Sequence, residues 1–144
     1  MIKREVIEKI GYLDTELTRG ADGNYWRRLC QRYEVDYIPE ILANIHIAHS
    51  ERISTISSTG LTNEAFTLEK RIRVFANEFK KYHDRHFNIL ILLAMNYFLL
   101  RKPRIACSYL KIAFRCKASL ASKTKYFLSN IIIAIARWRI LHKK

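Results

Sequence analysis

The 144-residue chain is poor in the residues that interrupt regular structure or build cross-links: it has two prolines, four glycines and three cysteines. With 49% hydrophobic residues, this composition excludes a disordered protein. The cysteines are odd in number and lack the spacing of a metal site. We therefore expect Cys30, Cys107 and Cys116 to be reduced and mostly buried, as in a cytosolic protein.

Long apolar runs are also absent. The two longest, residues 87–100 and 126–138, cover 14 and 13 positions and include asparagine. A membrane-spanning helix needs about 20 apolar residues, so these runs predict buried or interfacial helices. The first residues show no apolar signal segment. We expect a cytoplasmic protein that can attach peripherally to the inner face of the cell membrane.

Acidic residues are missing from one part of the chain altogether, since none occurs between positions 85 and 144. Residues 61–144 carry 18 Lys or Arg and four Asp or Glu. Residues 1–60 carry eight Lys or Arg and nine Asp or Glu. A basic part suits anionic lipid, nucleic acid or an acidic partner, and a near-neutral part suits a small-molecule site. This asymmetry predicts two domains, residues 1–60 and 61–144.

The spacing of apolar residues predicts a different structure in each part. The first part is predicted to mix helices and short strands, with helices over 4–10 and 24–33 and strands over 35–38 and 41–48. The second is predicted to be all-helical, as two hairpins with helices over about 62–84, 87–100, 103–116 and 122–141. The expected fold class is therefore α+β and mostly α.

An acidic residue on a glycine turn precedes the second predicted helix, in the stretch Gly20-Ala21-Asp22-Gly23. The Asp22 carboxylate is placed to cap that helix by accepting a backbone N–H. It is equally placed to face a cleft, held by a rigid helix start. The stretch alone leaves both interpretations open.

Residues 6–54 resemble the C-terminal part of the catalytic domain of family-2 glycosyltransferases, which are inverting enzymes with a GT-A fold. Residues 6–14 look like the family's helix followed by Gly-(Gly/Leu)-Phe-Asp-Glu. Residues 35–42 are similar to its next strand and turn, and 49–54 to a His-containing loop. The strongest segment is similar to Gly-Glu-Asp-Tyr-Asp-Leu-Trp-Leu-Arg-Leu and matches it at Gly20, Asp22, Trp26, Arg28 and Leu29.

This resemblance implies that residues 1–60 are a piece of a GT-A α/β catalytic domain on its acceptor side, followed by a helical basic extension. It implies inverting transfer of a sugar from a nucleotide-sugar donor to an envelope polysaccharide or lipid-linked acceptor. Asp22 stands where the family has its general base, which an acceptor hydroxyl needs because it is a poor nucleophile. Asp14, Ala21 and Trp26 stand on the acceptor-binding side, although Ala21 replaces the usual Glu.

The sequence contains few of the residues that bind the nucleotide-sugar donor in such an enzyme. A divalent cation, Mg²⁺ or Mn²⁺, would neutralise the leaving diphosphate, and His49 or His46 is implied as a contact to the metal or the diphosphate. Residues 1–144 contain no Asp-x-Asp motif, which holds this cation in the family. We also expect the nucleotide-binding half to be missing. We therefore expect a truncated or split glycosyltransferase that is inactive as an isolated chain.

The alternative is a non-catalytic basic helical protein that binds nucleic acid or an anionic membrane. Aromatic and aliphatic residues are mixed with Lys and Arg in the last two predicted helices, which favours an anionic membrane surface. Nucleic acid is the weaker partner, because the sequence contains no helix-turn-helix, zinc or other nucleic-acid-binding module.

Overall fold

The computed structural model describes residues 2–43 and 57–142, and their regular structure is entirely helical. The chain divides into two compact units, residues 1–55 and 56–144, and each is described by itself. Within the described ranges, no helix combines the length and the apolar character needed to cross a bilayer.

The first unit contains α1 (Arg4–Ile10) and α2 (Ala21–Cys30). α1 ends as predicted at Gly11, whose φ of 83° lies in the region that favours glycine. The two helices share a small core of Ile10, Tyr25 and Leu29. α2 begins three residues before the predicted start.

The strand predicted over residues 35–38 is wrong, because residues 34–43 have no regular structure. A strand needs a hydrogen-bonded neighbour, and no other segment within residues 2–43 and 57–142 forms a ladder with this one. The second predicted strand, 41–48, is wrong over residues 41–43 and otherwise lies outside the described residues. The described part of the chain is therefore mostly α rather than α+β.

The second unit contains five helices: α3 (Ser58–Val74), α4 (Ala76–Lys81), α5 (His83–Leu99), α6 (Pro103–Arg115) and α7 (Leu120–Leu141). The single helix predicted over 62–84 is thus two helices, separated at the buried Phe75 with φ −104° and ψ 26°. α3 also starts earlier than predicted, because the Ser57 hydroxyl caps it by accepting the Gly60 N–H at 3.0 Å. Pro103 is the first residue of α6, as expected.

α5 is the central helix of the second unit, and α3, α6 and α7 pack around it. Its side chains Phe87, Leu90, Ile91 and Leu93 are almost completely buried. Ala113 of α6 joins one core cluster and Leu68 of α3 another. This arrangement leaves the outer faces of α6 and α7 exposed.

The prediction of mostly buried cysteines is wrong for two of the three. Cys30 and Cys107 are exposed, and Cys116 is partly buried. Cys30 directly follows the buried Leu29, and Cys107 directly follows the buried Ala106. Successive helical residues point about 100° apart, so both thiols are directed away from the core.

Candidate functional site

Asp22 lies in the first turn of α2 and does not cap it. The N-cap position belongs to Gly20, which has φ 72° and ψ 20° and carries no side chain to accept a bond. The Asp22 side chain is exposed, and its Oδ1 accepts the N–H of Gly23 at 2.7 Å. Of the two interpretations of this residue, the N-cap is therefore wrong, and the carboxylate is presented to solvent at a helix N-terminus.

Two arginine side chains, one near the C-terminal end of α2 and one just after it, donate hydrogen bonds to carbonyls at the end of α1 and just after it. Arg28 donates through Nη1 to the Ile10 carbonyl at 2.8 Å and through Nη2 to the Tyr12 carbonyl at 2.6 Å. Arg32 donates to the Lys9 carbonyl at 3.3 Å. Since carbonyls at a helix C-terminus lack intrahelical partners and carry partial negative charge, guanidinium groups satisfy them well.

Arg28 makes contacts that the sequence does not predict. Its partners are main-chain carbonyls 16 and 18 positions earlier, and side-chain identity gives no signal for such a contact. The guanidinium also lies 5.4 Å from the centre of the Tyr25 ring. Together these contacts hold the direction of α2, and with it the place of Asp22.

Trp26 lies one helical turn after Asp22, on the same side of α2. Its side chain is 49% exposed, and its ring meets that of Tyr25 edge to face at 6.3 Å. Trp26 lines an open groove of about 430 Å³ beside the start of α1. The groove brings Trp26 together with three carboxylate residues, Glu5, Glu34 and Asp36, whereas Asp22 is not part of its lining.

The other predicted acceptor-side residues lie on the loop between the helices or at its end. Asp14 is partly buried, and its Oδ1 accepts the N–H of Glu16 at 3.2 Å, which forms a local turn. Ala21 is the first residue of α2 and is partly buried. The structure therefore places Asp14, Ala21, Asp22 and Trp26 in one unit, on one loop and the helix that follows it.

The predicted metal or diphosphate contacts, His46 and His49, lie outside the described residues. Within residues 2–43 and 57–142, no group of three or more His, Cys, Asp or Glu side chains could hold a metal ion. The described part of the site thus offers a carboxylate and an aromatic ring, and no ligand set for a cation.

Comparison of the chain with protein-family models, with curated proteins and with solved structures finds no match.

Proposed function

We propose that the first unit is the acceptor side of an inverting glycosyltransferase, with Asp22 as the general base and with the nucleotide-sugar site outside residues 1–144. The observation that supports this most directly is the exposed Asp22 carboxylate, at the start of a helix whose other end Arg28 anchors. A base must be held in a fixed position and must be reachable by substrate, and this carboxylate meets both needs.

The proposed chemistry is a single displacement. An acceptor hydroxyl oxygen attacks the anomeric carbon and forms the new glycosidic bond, while the bond from that carbon to the diphosphate oxygen breaks. The hydroxyl proton passes to Asp22, and the nucleoside diphosphate leaves with the bonding electron pair. Asp22 lies in the first turn of α2, where the positive end of the helix dipole attracts a negatively charged side chain.

Trp26 and Asp14 are assigned to binding rather than to proton transfer. The half-exposed Trp26 ring offers a flat apolar surface one turn from Asp22, suited to the apolar face of a sugar ring. Asp14 shapes the loop that leads to α2 through its turn with Glu16. The methyl group of Ala21 leaves Asp22 as the sole carboxylate at the start of this helix.

Exposed apolar side chains of the first unit support contact with a donor-binding domain. Tyr12, Tyr37, Ile41 and Leu42 are 80%, 80%, 89% and 71% exposed. Large apolar side chains left exposed in this way are typical of a protein interaction site. We assign these four side chains, which we call the apolar loop surface, to contact with the donor-binding domain.

A divalent cation, Mg²⁺ or Mn²⁺, would supply positive charge to the leaving diphosphate in the complete enzyme. The described residues hold no ligand set for it, and His46 and His49 stay predicted contacts to the metal or the diphosphate. The proposed roles of this chain in proton transfer and acceptor binding belong to Asp22, Trp26 and Asp14.

A capture experiment tests this function. The tagged full chain is isolated from the cells that produce it, with any bound polypeptide, and assayed for nucleoside diphosphate release. The donors are UDP-, GDP- and dTDP-sugars, and the acceptor is a lipid extract of the same cells. We expect release from the captured complex and none from the chain purified alone. A complex without release contradicts the glycosyltransferase function, and turnover by the chain alone contradicts the split site.

A pair of variants localises the partner. Replacing Tyr37 and Ile41 by Asp is expected to abolish both the capture and the release. The control replaces Phe66 and Val74 by Asp, which are exposed apolar residues of α3 in the second unit. Equal capture by both variants would contradict the assignment of the apolar loop surface.

A further inference from the structure

α7 is turned so that polar side chains occupy its inner face. Asn130 is 4% exposed, and its Nδ2 donates to Asn88 Oδ1 of α5 at 2.9 Å. Arg137, seven positions later and so on the same side, donates to Asn96 Oδ1 of α5 at 2.8 Å. It also forms an ion pair with Glu64 of α3. The face that packs against the second unit's core is therefore fastened by hydrogen bonds.

The outer face of α7 carries isoleucine and leucine instead. Leu128, Ile132 and Ile135 are 54%, 68% and 50% exposed, at the i, i+4, i+7 spacing of a single stripe. Two further side chains beside this stripe, Trp138 and Ile140, are 52% and 51% exposed. We call these five residues the outer stripe. A helix of a globular domain buries its apolar stripe, so the outer stripe calls for an apolar environment outside the described chain.

A second anchor fixes the start of α7. The Asp84 carboxylate accepts the Ser119 N–H at 3.0 Å and the Ser122 hydroxyl at 2.8 Å. With Asn130 and Arg137 also bonded to α5, the helix is held at its beginning, middle and end. The outward direction of the outer stripe is thus a fixed property of the fold.

The charged residues beside the outer stripe indicate what kind of surface it binds. Lys125 and Arg139 lie at the two ends of the stripe on the same side of α7 and are exposed. No acidic residue occurs between positions 85 and 142. An apolar stripe bounded by cations, with tryptophan at its edge, has the chemistry of a helix that lies in the interface of an anionic membrane. We propose that the outer stripe of α7 docks the protein onto an anionic lipid surface, with the helix parallel to the membrane plane.

Vesicle binding by the full chain tests this proposal. The probes are vesicles of phosphatidylcholine alone and of phosphatidylcholine with about one third phosphatidylglycerol, because anionic lipid attracts basic segments electrostatically. We expect sedimentation with the anionic vesicles, a much smaller fraction with the neutral ones, and weaker binding as salt is raised. Equal binding to both compositions, or binding to neither, overturns the proposal.

Two matched double variants locate the contact. Replacing Ile132 and Ile135 by Glu is expected to lower the vesicle partition constant at least about tenfold, because two apolar groups no longer insert. The control replaces Phe66 and Val74 of α3 by Glu, which are 42% and 53% exposed and bring the same change in net charge. We expect only a modest loss from the control. Equal losses would show a contact by net charge alone, as with nucleic acid, and would overturn the proposal.

Trp138 reports insertion directly. In the Trp26→Phe variant it is the single tryptophan, because the chain has two. We expect its emission to shift to the blue on anionic vesicles and to be quenched by brominated acyl chains. An unchanged emission on bound protein overturns the proposal. So does a concentration-dependent dimer in lipid-free buffer that the Ile132→Glu, Ile135→Glu variant abolishes, because the partner would then be a second copy.

Discussion

Glu64 on α3 and Arg137 on α7 are 73 positions apart in the sequence and form an ion pair, with Nη1 and Oε2 3.1 Å apart. Each side chain is 19% exposed. The same Nη1 donates to Asn96 Oδ1 on α5, so one guanidinium joins three helices. This contact sets which side of α7 faces the core, and thereby which side faces outward.

Arg137→Met should lower the free energy of unfolding by about 2 kcal/mol, because the Glu64 carboxylate and the Asn96 amide oxygen lose their partner in a mostly buried place. Arg139→Met is the matched control. It makes the same chemical change two residues later at an exposed position and should stay within about 0.5 kcal/mol of wild type. Urea unfolding followed by circular dichroism measures both, and equal values would contradict the role given to Arg137.

Asp84→Ala should destabilise the second unit by about 1 kcal/mol, since the start of α7 loses the two bonds to Ser119 and Ser122. Asp84→Asn keeps one acceptor oxygen and should recover part of the loss. Hydrogen exchange of the amides in the first turn of α7 is the sharper measurement. Protection there should fall in the alanine variant, and unchanged protection would show that the carboxylate does not hold this helix.

Two tyrosines share one carboxylate oxygen, because Tyr97 and Tyr109 both donate to Glu69 Oε1, at 2.7 and 2.8 Å. Burial first, and then the bond to Glu69, raise the pKa of Tyr109 to about 12 and raise the pKa of Tyr97 as well. The unfolded chain releases these protons near a pKa of about 10. Stability from this pair is therefore complete below about pH 10 and is lost as the pH rises from there.

The variant with Tyr97→Phe and Tyr109→Phe should consequently show a shallower fall of the urea midpoint between about pH 10 and 12 than wild type. Tyr12→Phe removes a tyrosine that is 80% exposed and should leave the wild-type slope unchanged. If the double variant and wild type fall in parallel, the raised pKa values are contradicted.

Arg28→Met should lower the free energy of unfolding of the first unit by about 1–3 kcal/mol, because the carbonyls of Ile10 and Tyr12 lose charged donors. Arg4→Met is the control, since the Arg4 and Glu8 side chains form an exposed pair that contributes little. Trp26 fluorescence in a Trp138→Phe background follows this unit alone. A loss of stability as small as that of the Arg4→Met control would contradict the role of Arg28 in holding α2.

Local signals predicted some features and could not predict others. Gly11 predicts the end of a helix and Pro103 the start of one from the adjacent residues alone, and both predictions are confirmed. The apolar alternation of residues 35–38 is also local, but a strand exists only with a neighbour, which sequence pattern does not supply. Asp22 lies two positions after the N-cap, because the left-handed conformation of Gly20 makes that glycine the N-cap residue.

The local sequence pattern does not predict which side of α7 faces the core. The apolar run over residues 126–138 predicts a buried or interfacial helix without saying which side faces the core. Asn130 and Arg137 face inward because their partners are 42 and 41 positions away on α5. The contacts of Arg28 with carbonyls of the preceding helix end are hidden for the same reason. Both features follow from tertiary hydrogen bonds, which propensity and periodicity do not encode.

The most direct test of the proposed function is the turnover of the Asp22→Asn variant in the captured complex. Asparagine keeps the size of the side chain and an oxygen to accept the Gly23 N–H, but it cannot take a proton. We predict a fall in nucleoside diphosphate release of about 10²–10⁴-fold with partner capture unchanged. The Glu8→Gln variant makes the same kind of change at another exposed acid of the same unit and keeps near wild-type release. Full activity of the Asp22→Asn complex would contradict the assignment of Asp22 as the general base.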